Sequence, residues 1–117
     1  GASYLEAETQ VLGMDHQAIG EVLLKNWNIP EIICGIVKSH HNPHLAQQTP
    51  VLTSVVHLAD YMTQKLQIGN LSWDDSIELN EHIFATMHLK DLTELGKFIE
   101  SYREPLAAQL DSLRYLI

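Results

Sequence analysis

The spacing of apolar residues along the first third of the chain predicts three helices. Residues 3–12 are expected to form the first helix, which ends at Gly13. Asp15 can cap a second helix, whose apolar residues recur with the helical period at Ile19, Val22, Leu23 and Trp27. Pro30 fits the first turn of a third helix. Asn42-Pro43 is expected to end that helix, because the residue before a proline is pushed out of the helical region.

The third and fourth helices each carry one predicted core face. On the third helix this face consists of Ile33, Ile36, Val37 and His40. After a polar loop over residues 42–49, Thr49-Pro50 again places a capping residue before a proline and predicts the start of the fourth helix. That helix is expected to run to about Gln67, with a core stripe made of Leu52, Val55, Val56, Ala59, Met62 and Leu66.

The second half of the chain is also predicted to be helical after a break at Gly69-Asn70 and an irregular acidic stretch over residues 71–79. Asn80 can cap a short helix that carries Ile83, Phe84 and Met87. Another helix is expected to start near Lys90 or Asp91, with a buried face made of Leu92, Leu95, Phe98, Ile99 and Tyr102. Pro105 should break or kink it, before an amphipathic tail of Leu106, Leu110, Leu113 and Ile117. No strand alternation appears, so the predicted class is all-α.

Composition narrows the classes of partner. The chain has 117 residues, 45 % of them hydrophobic, which suits one domain with a sizeable core. Its formal net charge is -8, with 15 acidic residues against 7 Lys plus Arg. This balance argues against nucleic acid and against an anionic membrane surface. The single cysteine excludes an internal disulfide, and no apolar run or leader suggests a membrane, so we expect a soluble, cytoplasmic domain.

Histidines supply the candidate chemistry. His16 lies in the first turn of the second helix, where the helix dipole disfavours a charged imidazolium and so favours the neutral form that a metal ligand requires. Gly20 follows one turn later on the same face and allows another element to approach closely. His40 and His41 close the third helix, and Asp60 lies beside the core stripe of the fourth. Three histidines and a carboxylate form a plausible transition-metal set.

The same residues also have structural interpretations. A histidine beside a core stripe more often makes a hydrogen bond than it binds a metal, which applies to His16 and His40. Asp60 can likewise bond a neighbouring helix, or His57 one turn before it. Cys34 is expected to be an inert buried thiol, and Trp27 is expected to anchor the core. We expect the other three histidines to be exposed: His44, His82 and His88.

Four segments together resemble the HDOD domain, a relative of the HD-domain phosphohydrolases. They are Gly13-Met14-Asp15-His16, Trp27-Asn28-Ile29-Pro30, His40-His41-Asn42-Pro43 and Val56-His57-Leu58-Ala59-Asp60. The resemblance is close across about residues 5–67 and vaguer over 68–117, where a helical C-terminal extension is expected, so residues 1–117 are expected to form one domain. It implies an all-α, HD-like bundle and a regulatory role in bacterial signal transduction. In the related HD-GYP phosphodiesterases the matching positions bind metal, which makes His16, His40, His41 and Asp60 the candidate ligands.

Two departures from the enzymes decide the expected function. True HD enzymes have an adjacent His-Asp pair upstream, and this chain contains no His-Asp dipeptide. HD-GYP proteins follow the histidine pair with a glutamate and a Gly-Tyr-Pro signature, whereas Asn42-Pro43-His44-Leu45 follow it here. We therefore expect a non-enzymatic regulatory module that acts on a protein partner or a fused signalling domain, with no required cofactor. The alternatives are a metal-dependent HD-type phosphohydrolase, a metal-binding remnant of one, and a scaffold or dimerisation bundle.

The resemblance also bears on assembly. A full HDOD domain has further helices before the equivalent of Leu5, so we expect either that the chain is the C-terminal portion of such a domain or that its bundle is completed in some other way. A partial bundle is expected to expose an apolar face. Such a face favours association with a second copy of the chain or with a missing segment.

Overall fold

The computed structural model describes residues 3–67 and 78–114, and within these ranges it contains helices and no β-strand. The all-α class is thereby confirmed. A 3₁₀ turn at Pro43–Leu45 joins the third and fourth α-helices. The α-helices are α1 (Tyr4–Leu12), α2 (His16–Asn26), α3 (Glu31–Ser39), α4 (Pro50–Leu66), α5 (His82–Thr86), α6 (Leu92–Ser101) and α7 (Arg103–Arg114). The predicted break at Gly69-Asn70, most of the acidic stretch and Ile117 lie outside the described residues. Among the helices described, none has both the length and the apolar character needed to cross a bilayer.

Several local signals set helix ends as predicted, although the Thr49 side chain makes no capping hydrogen bond at the start of α4. Gly13 ends α1 in the left-handed conformation, with φ of 79°, and its N–H donates to the carbonyl of Thr9. Asp15 caps α2 by accepting a hydrogen bond from the N–H of Ala18 at 2.9 Å. Pro105 lies in the first turn of α7, where no helical N–H is needed, so the break falls before it, at Tyr102.

The hydrophobic core lies where the C-terminal half of α4 meets α5 and α6. Its buried residues are Leu58, Met62, Leu66, Ile83, Leu95 and Ile99. Four of them, Met62, Leu66, Leu95 and Ile99, belong to faces that the apolar pattern predicts to be buried. The predicted cap residue Asn80 lies one position before the N-cap of α5, which is Glu81, and its side chain accepts a hydrogen bond from the N–H of His82 at 3.0 Å.

The predicted core stripe of α4 is wrong over its first half. The apolar residues assigned to it are exposed: Leu52, Val55, Val56 and Ala59. The side chains that face inward there are Thr53, Ser54, His57 and Leu58. The reason is that this part of α4 lies against the end of α3 and the 3₁₀ turn, where buried backbone groups need hydrogen-bond partners. His57 supplies one by bonding the carbonyl of His40 at 2.8 Å.

Other predicted apolar faces are also largely exposed. Trp27, expected to anchor the core, is 63 % exposed at the C-cap of α2. The same correction applies to several residues of α2, α3 and α6: Ile19, Val22, Leu23, Ile33, Leu92, Phe98 and Tyr102. Among the described residues, no neighbouring helix covers these side chains fully. The periodic pattern therefore identifies apolar faces but not which of them are buried.

The packing of α2 against α3 depends on Gly20. A Cβ atom built at this position would lie 2.7 Å from Cγ1 of Val37, closer than real contacts allow. The backbone of α2 therefore approaches α3 at a distance that only glycine permits. This close approach brings the start of α2 beside the residues that follow α3.

We expect the Gly20→Ala variant to lower the free energy of unfolding by about 1–3 kcal/mol, because the added methyl group must displace the stiff Val37 side chain. Gly96→Ala is the matched control, since a Cβ atom there would meet nothing within 4 Å on α6. That variant should raise stability by up to about 1 kcal/mol through helix propensity. Urea unfolding followed by circular dichroism measures both. Equal stabilisation in the two variants would contradict the close approach.

Candidate metal centre

The helix hairpin α2–α3 brings three histidines together. Asp15 starts α2 at His16, and α3 ends at Ser39, so His40 and His41 follow directly. Because the helices pack closely at Gly20, the first residue of α2 lies against the residues after α3. The sequence-predicted ligands His16, His40 and His41 therefore meet at one end of the hairpin.

The ring nitrogens of the three histidines converge. Nε2 of His16 lies 2.9 Å from Nε2 of His41 and 3.4 Å from Nε2 of His40. The nearest ring nitrogens of all three residues lie within 4.8 Å of one another, and all three side chains are partly buried. Among the residues described, this is the group of histidine, cysteine and acidic side chains with the spacing of a metal site.

An oxygen atom faces the outer nitrogen of each ring. Nδ1 of His16 lies 2.8 Å from Oε2 of Glu8, and Nδ1 of His40 lies 2.7 Å from the carbonyl oxygen of Val37. Because a carbonyl only accepts, the His40 Nδ1 carries the hydrogen and its Nε2 presents a lone pair to the cluster. Nδ1 of His41 faces Oδ2 of Asp60 at 3.7 Å, which is long for a hydrogen bond but places negative charge there. Metal-bound histidines are commonly oriented in this way.

Burial keeps His41 neutral. It lowers the pKa of His41 to about 4, and the neighbouring histidines act in the same direction, while the charge of Asp60 opposes them. Burial tends to raise the pKa of Glu8, but hydrogen bonds from the backbone and ring of His16 outweigh it and lower that pKa. Glu8 is therefore a carboxylate and His41 a neutral imidazole at pH 7, as metal coordination requires.

Asp60, the fourth candidate ligand from the sequence, does not join the convergent group. It lies on the outer side of the His41 ring, opposite the Nε2 atom that faces His16. In this position its carboxylate orients His41 and does not point into the cluster. The structure thus brings together three of the four candidate residues.

Comparison with protein families identifies the part of the chain that holds this cluster. Residues 1–43 match the HDOD domain family. This HDOD segment contains α1, α2 and α3 and ends just after the histidine pair, so it includes Glu8 and all three clustered histidines. The match is shorter than the resemblance over residues 5–67, and the likeness at Val56–Asp60 remains a prediction. Comparisons with curated proteins and with solved structures give no match.

Two functional side chains of the HDOD segment were not found from the sequence. Glu8 lies eight positions before His16, across the Gly13 turn, and no periodic pattern links residues on two helices joined by a turn. Gln17 is buried, and its Oε1 accepts a hydrogen bond from the N–H of His41 at 3.2 Å. A polar residue directly after a candidate ligand was the signal available for Gln17.

Outside the HDOD segment, His57 holds His40 in place by a hydrogen bond to its backbone carbonyl. This ring is buried; its Nδ1 donates to the carbonyl of His40 and its Nε2 accepts from the N–H of Asn80 at 3.0 Å. The predicted hydrogen bond between His57 and Asp60 is therefore wrong, because both ring nitrogens of His57 bond backbone groups of His40 and Asn80. The predictions for Cys34, which is buried, and for His44, His82 and His88, which are exposed, are confirmed.

We expect the metal-free protein to lose stability in mild acid. Below pH 6.5 the unfolded chain takes up a proton at His41, whereas the folded chain stays neutral there until about pH 4. The unfolded state thus binds more protons, and the free energy of unfolding should fall by about 2 kcal/mol between pH 7 and pH 5 from this residue. Burial also lowers the pKa of His57, which adds to the effect.

Urea unfolding at pH 7, 6 and 5 in the presence of chelator measures this loss. His41→Gln should flatten the pH dependence, while His88→Gln, at an exposed site, should leave it unchanged. A wild-type stability that does not change over this range would show that His41 is not held neutral by burial.

Proposed function

We propose that this chain is a regulatory interaction module of a bacterial signal-transduction protein, and that its histidine cluster holds one divalent transition metal without hydrolysing phosphate esters. The match of residues 1–43 to the HDOD domain family supports the regulatory part. The observation that carries the metal part is the convergence of three Nε2 atoms whose Nδ1 atoms each face an oxygen.

The donor set fits a transition metal. Neutral imidazoles suit Zn²⁺, Ni²⁺, Cu²⁺ and Fe²⁺. Two nitrogens bound to one zinc ion at 2.0–2.1 Å are about 3.3 Å apart, close to the 3.4 Å between His16 and His40. His41 is nearer to His16, at 2.9 Å, so these two rings would separate slightly to bind one ion. When bound, the ion would link the start of α2 to the end of α3.

The positions of the carboxylates favour a structural site over a hydrolytic one. A metal-dependent hydrolase needs a base that accepts a proton from the attacking water. Glu8 and Asp60 are the carboxylates beside the three rings, and both face the outer Nδ1 side. Neither is placed to share the inner position with His16, His40 and His41. The missing His-Asp pair and Gly-Tyr-Pro signature agree with this assignment.

We expect protein purified without chelator and loaded with Co²⁺ or Zn²⁺ to bind one equivalent. His40→Ala should weaken binding by more than about 100-fold, since loss of a ligand costs more than loss of a group that orients one. His88→Ala is the matched control, because that ring is exposed and absent from the cluster. Chelator competition measures the affinities.

Two results would contradict the proposal. Wild-type protein that binds no metal, or binding that His40→Ala leaves unchanged, would remove the metal site. Hydrolysis of a phosphodiester by the Mn²⁺-loaded protein, lost in the same variant, would favour the phosphohydrolase alternative.

The interaction part of the proposal rests on the outer face of α2. Its apolar side chains at Ile19, Val22, Leu23 and Trp27 form one stripe and are between 40 % and 63 % exposed. An exposed apolar stripe of this kind is typical of a protein interface.

We propose that a second copy of the chain covers this stripe. A symmetric dimer would pair the stripe with itself, which suits a surface of aliphatic side chains and one indole. The net charge of -8 on each copy opposes association, so the dimer should be more stable at physiological salt than at low salt.

Size-exclusion chromatography with light scattering tests this association. We expect a dimer at about 0.15 M salt, where charges are screened beyond about 8 Å. Val22→Glu should give a monomer, because it places a charge in the middle of the stripe. Val11→Glu is the control, since Val11 is exposed on α1 and lies outside the stripe. A monomer for the wild type at high concentration would contradict the proposal.

A further inference from the structure

Helix α1 is an unusual element of this fold because none of its residues is buried. It has 9 residues, fewer than an isolated helix needs to be stable in water. Local caps support its ends: Ser3 and Glu6 form a capping box, and Gly13 closes the last turn. Its persistence as a helix therefore depends on what it docks against.

Glu8 connects α1 to the histidine cluster. One oxygen of its carboxylate, Oε2, lies 2.9 Å from the backbone nitrogen of His16 and 2.8 Å from Nδ1 of the same residue. The Glu8 side chain is only 12 % exposed, although it belongs to a helix with an otherwise accessible surface. A single carboxylate thus ties α1 both to the first turn of α2 and to a ring of the cluster.

We propose that Glu8 couples the docking of α1 to occupancy of the histidine cluster by a divalent metal. This rests on the metal site proposed above. A cation at Nε2 of His16 withdraws electron density from the ring, which makes Nδ1–H a stronger donor to the Glu8 carboxylate. Conversely, the docked carboxylate makes the ring a better ligand. Because the coupling is reciprocal, α1 docking and metal binding strengthen each other by the same factor.

Through this coupling, metal binding affects the position of α1 at the protein surface. Val11 and Leu12 are exposed on α1, and their placement follows the docking of that helix. Glu8 is a positioning residue in this account: it acts on the metal through His16 and does not face the inner side of the cluster.

Hydrogen exchange of the α1 amides, measured with and without Zn²⁺, tests the coupling together with Zn²⁺ affinity. In the wild type, Zn²⁺ should slow exchange in α1 by about 10-fold or more. Glu8→Gln should abolish this slowing and weaken Zn²⁺ binding about 10–100-fold. Glu104→Gln, on exposed α7, makes the same change in net charge and should alter neither.

Exchange in α6 reports whether each variant keeps its fold. If Glu8→Gln disturbs α6, Glu8→Asp decides instead, because it keeps the charge but shortens its reach and should give intermediate values of both quantities. Zn²⁺ binding that leaves α1 exchange unchanged, or that Glu8→Gln does not weaken, overturns the coupling and leaves the metal site standing. Absence of Zn²⁺ binding by the wild type overturns both.

Discussion

The close packing of α2 against α3 at Gly20 determines the geometry of the candidate metal centre. With no side chain at this position, the two helix backbones come near enough for a Cβ atom to collide with Val37. The cap at Asp15 sets the position of His16 at the start of α2, and the end of α3 sets the positions of His40 and His41. A wider hairpin would separate His16 from that pair, so one missing methyl group sets the distances on which the site depends.

The surroundings of the cluster orient three imidazole rings toward one another. A different helix provides the oxygen that faces each outer nitrogen: Glu8 from α1, Val37 from α3 and Asp60 from α4. Burial holds the pKa of His41 near 4, which removes the proton that would otherwise repel a cation. Folding therefore brings the donor atoms close together before any ion binds, which lowers the cost of ordering them on binding.

The sequence predicted the helix ends well, because caps such as Asp15 and Gly13 act on atoms within a few residues. It failed on the first half of α4, where the inward side chains are polar and His57 bonds the buried carbonyl of His40. A hydrophobic pattern does not show which buried backbone groups need a hydrogen-bond partner from a side chain. His16, His40 and His41 were named because their spacing resembles a known ligand set. Glu8 was not, since its contact depends on the angle between α1 and α2, which no local pattern specifies.

Three Nε2 atoms converge on a common point in the structure. Long-range proton–nitrogen correlation NMR distinguishes the two ring nitrogens of each histidine and shows most directly whether these atoms bind a metal. On addition of one equivalent of Zn²⁺, we predict that the Nε2 signals of His16, His40 and His41 shift and that Nδ1 carries the proton in all three rings, which in His41 requires the proton to leave Nε2. We predict that His44, His57, His82 and His88 do not respond. Coordination through any Nδ1 of the cluster, or spectra that Zn²⁺ leaves unchanged, would contradict the account.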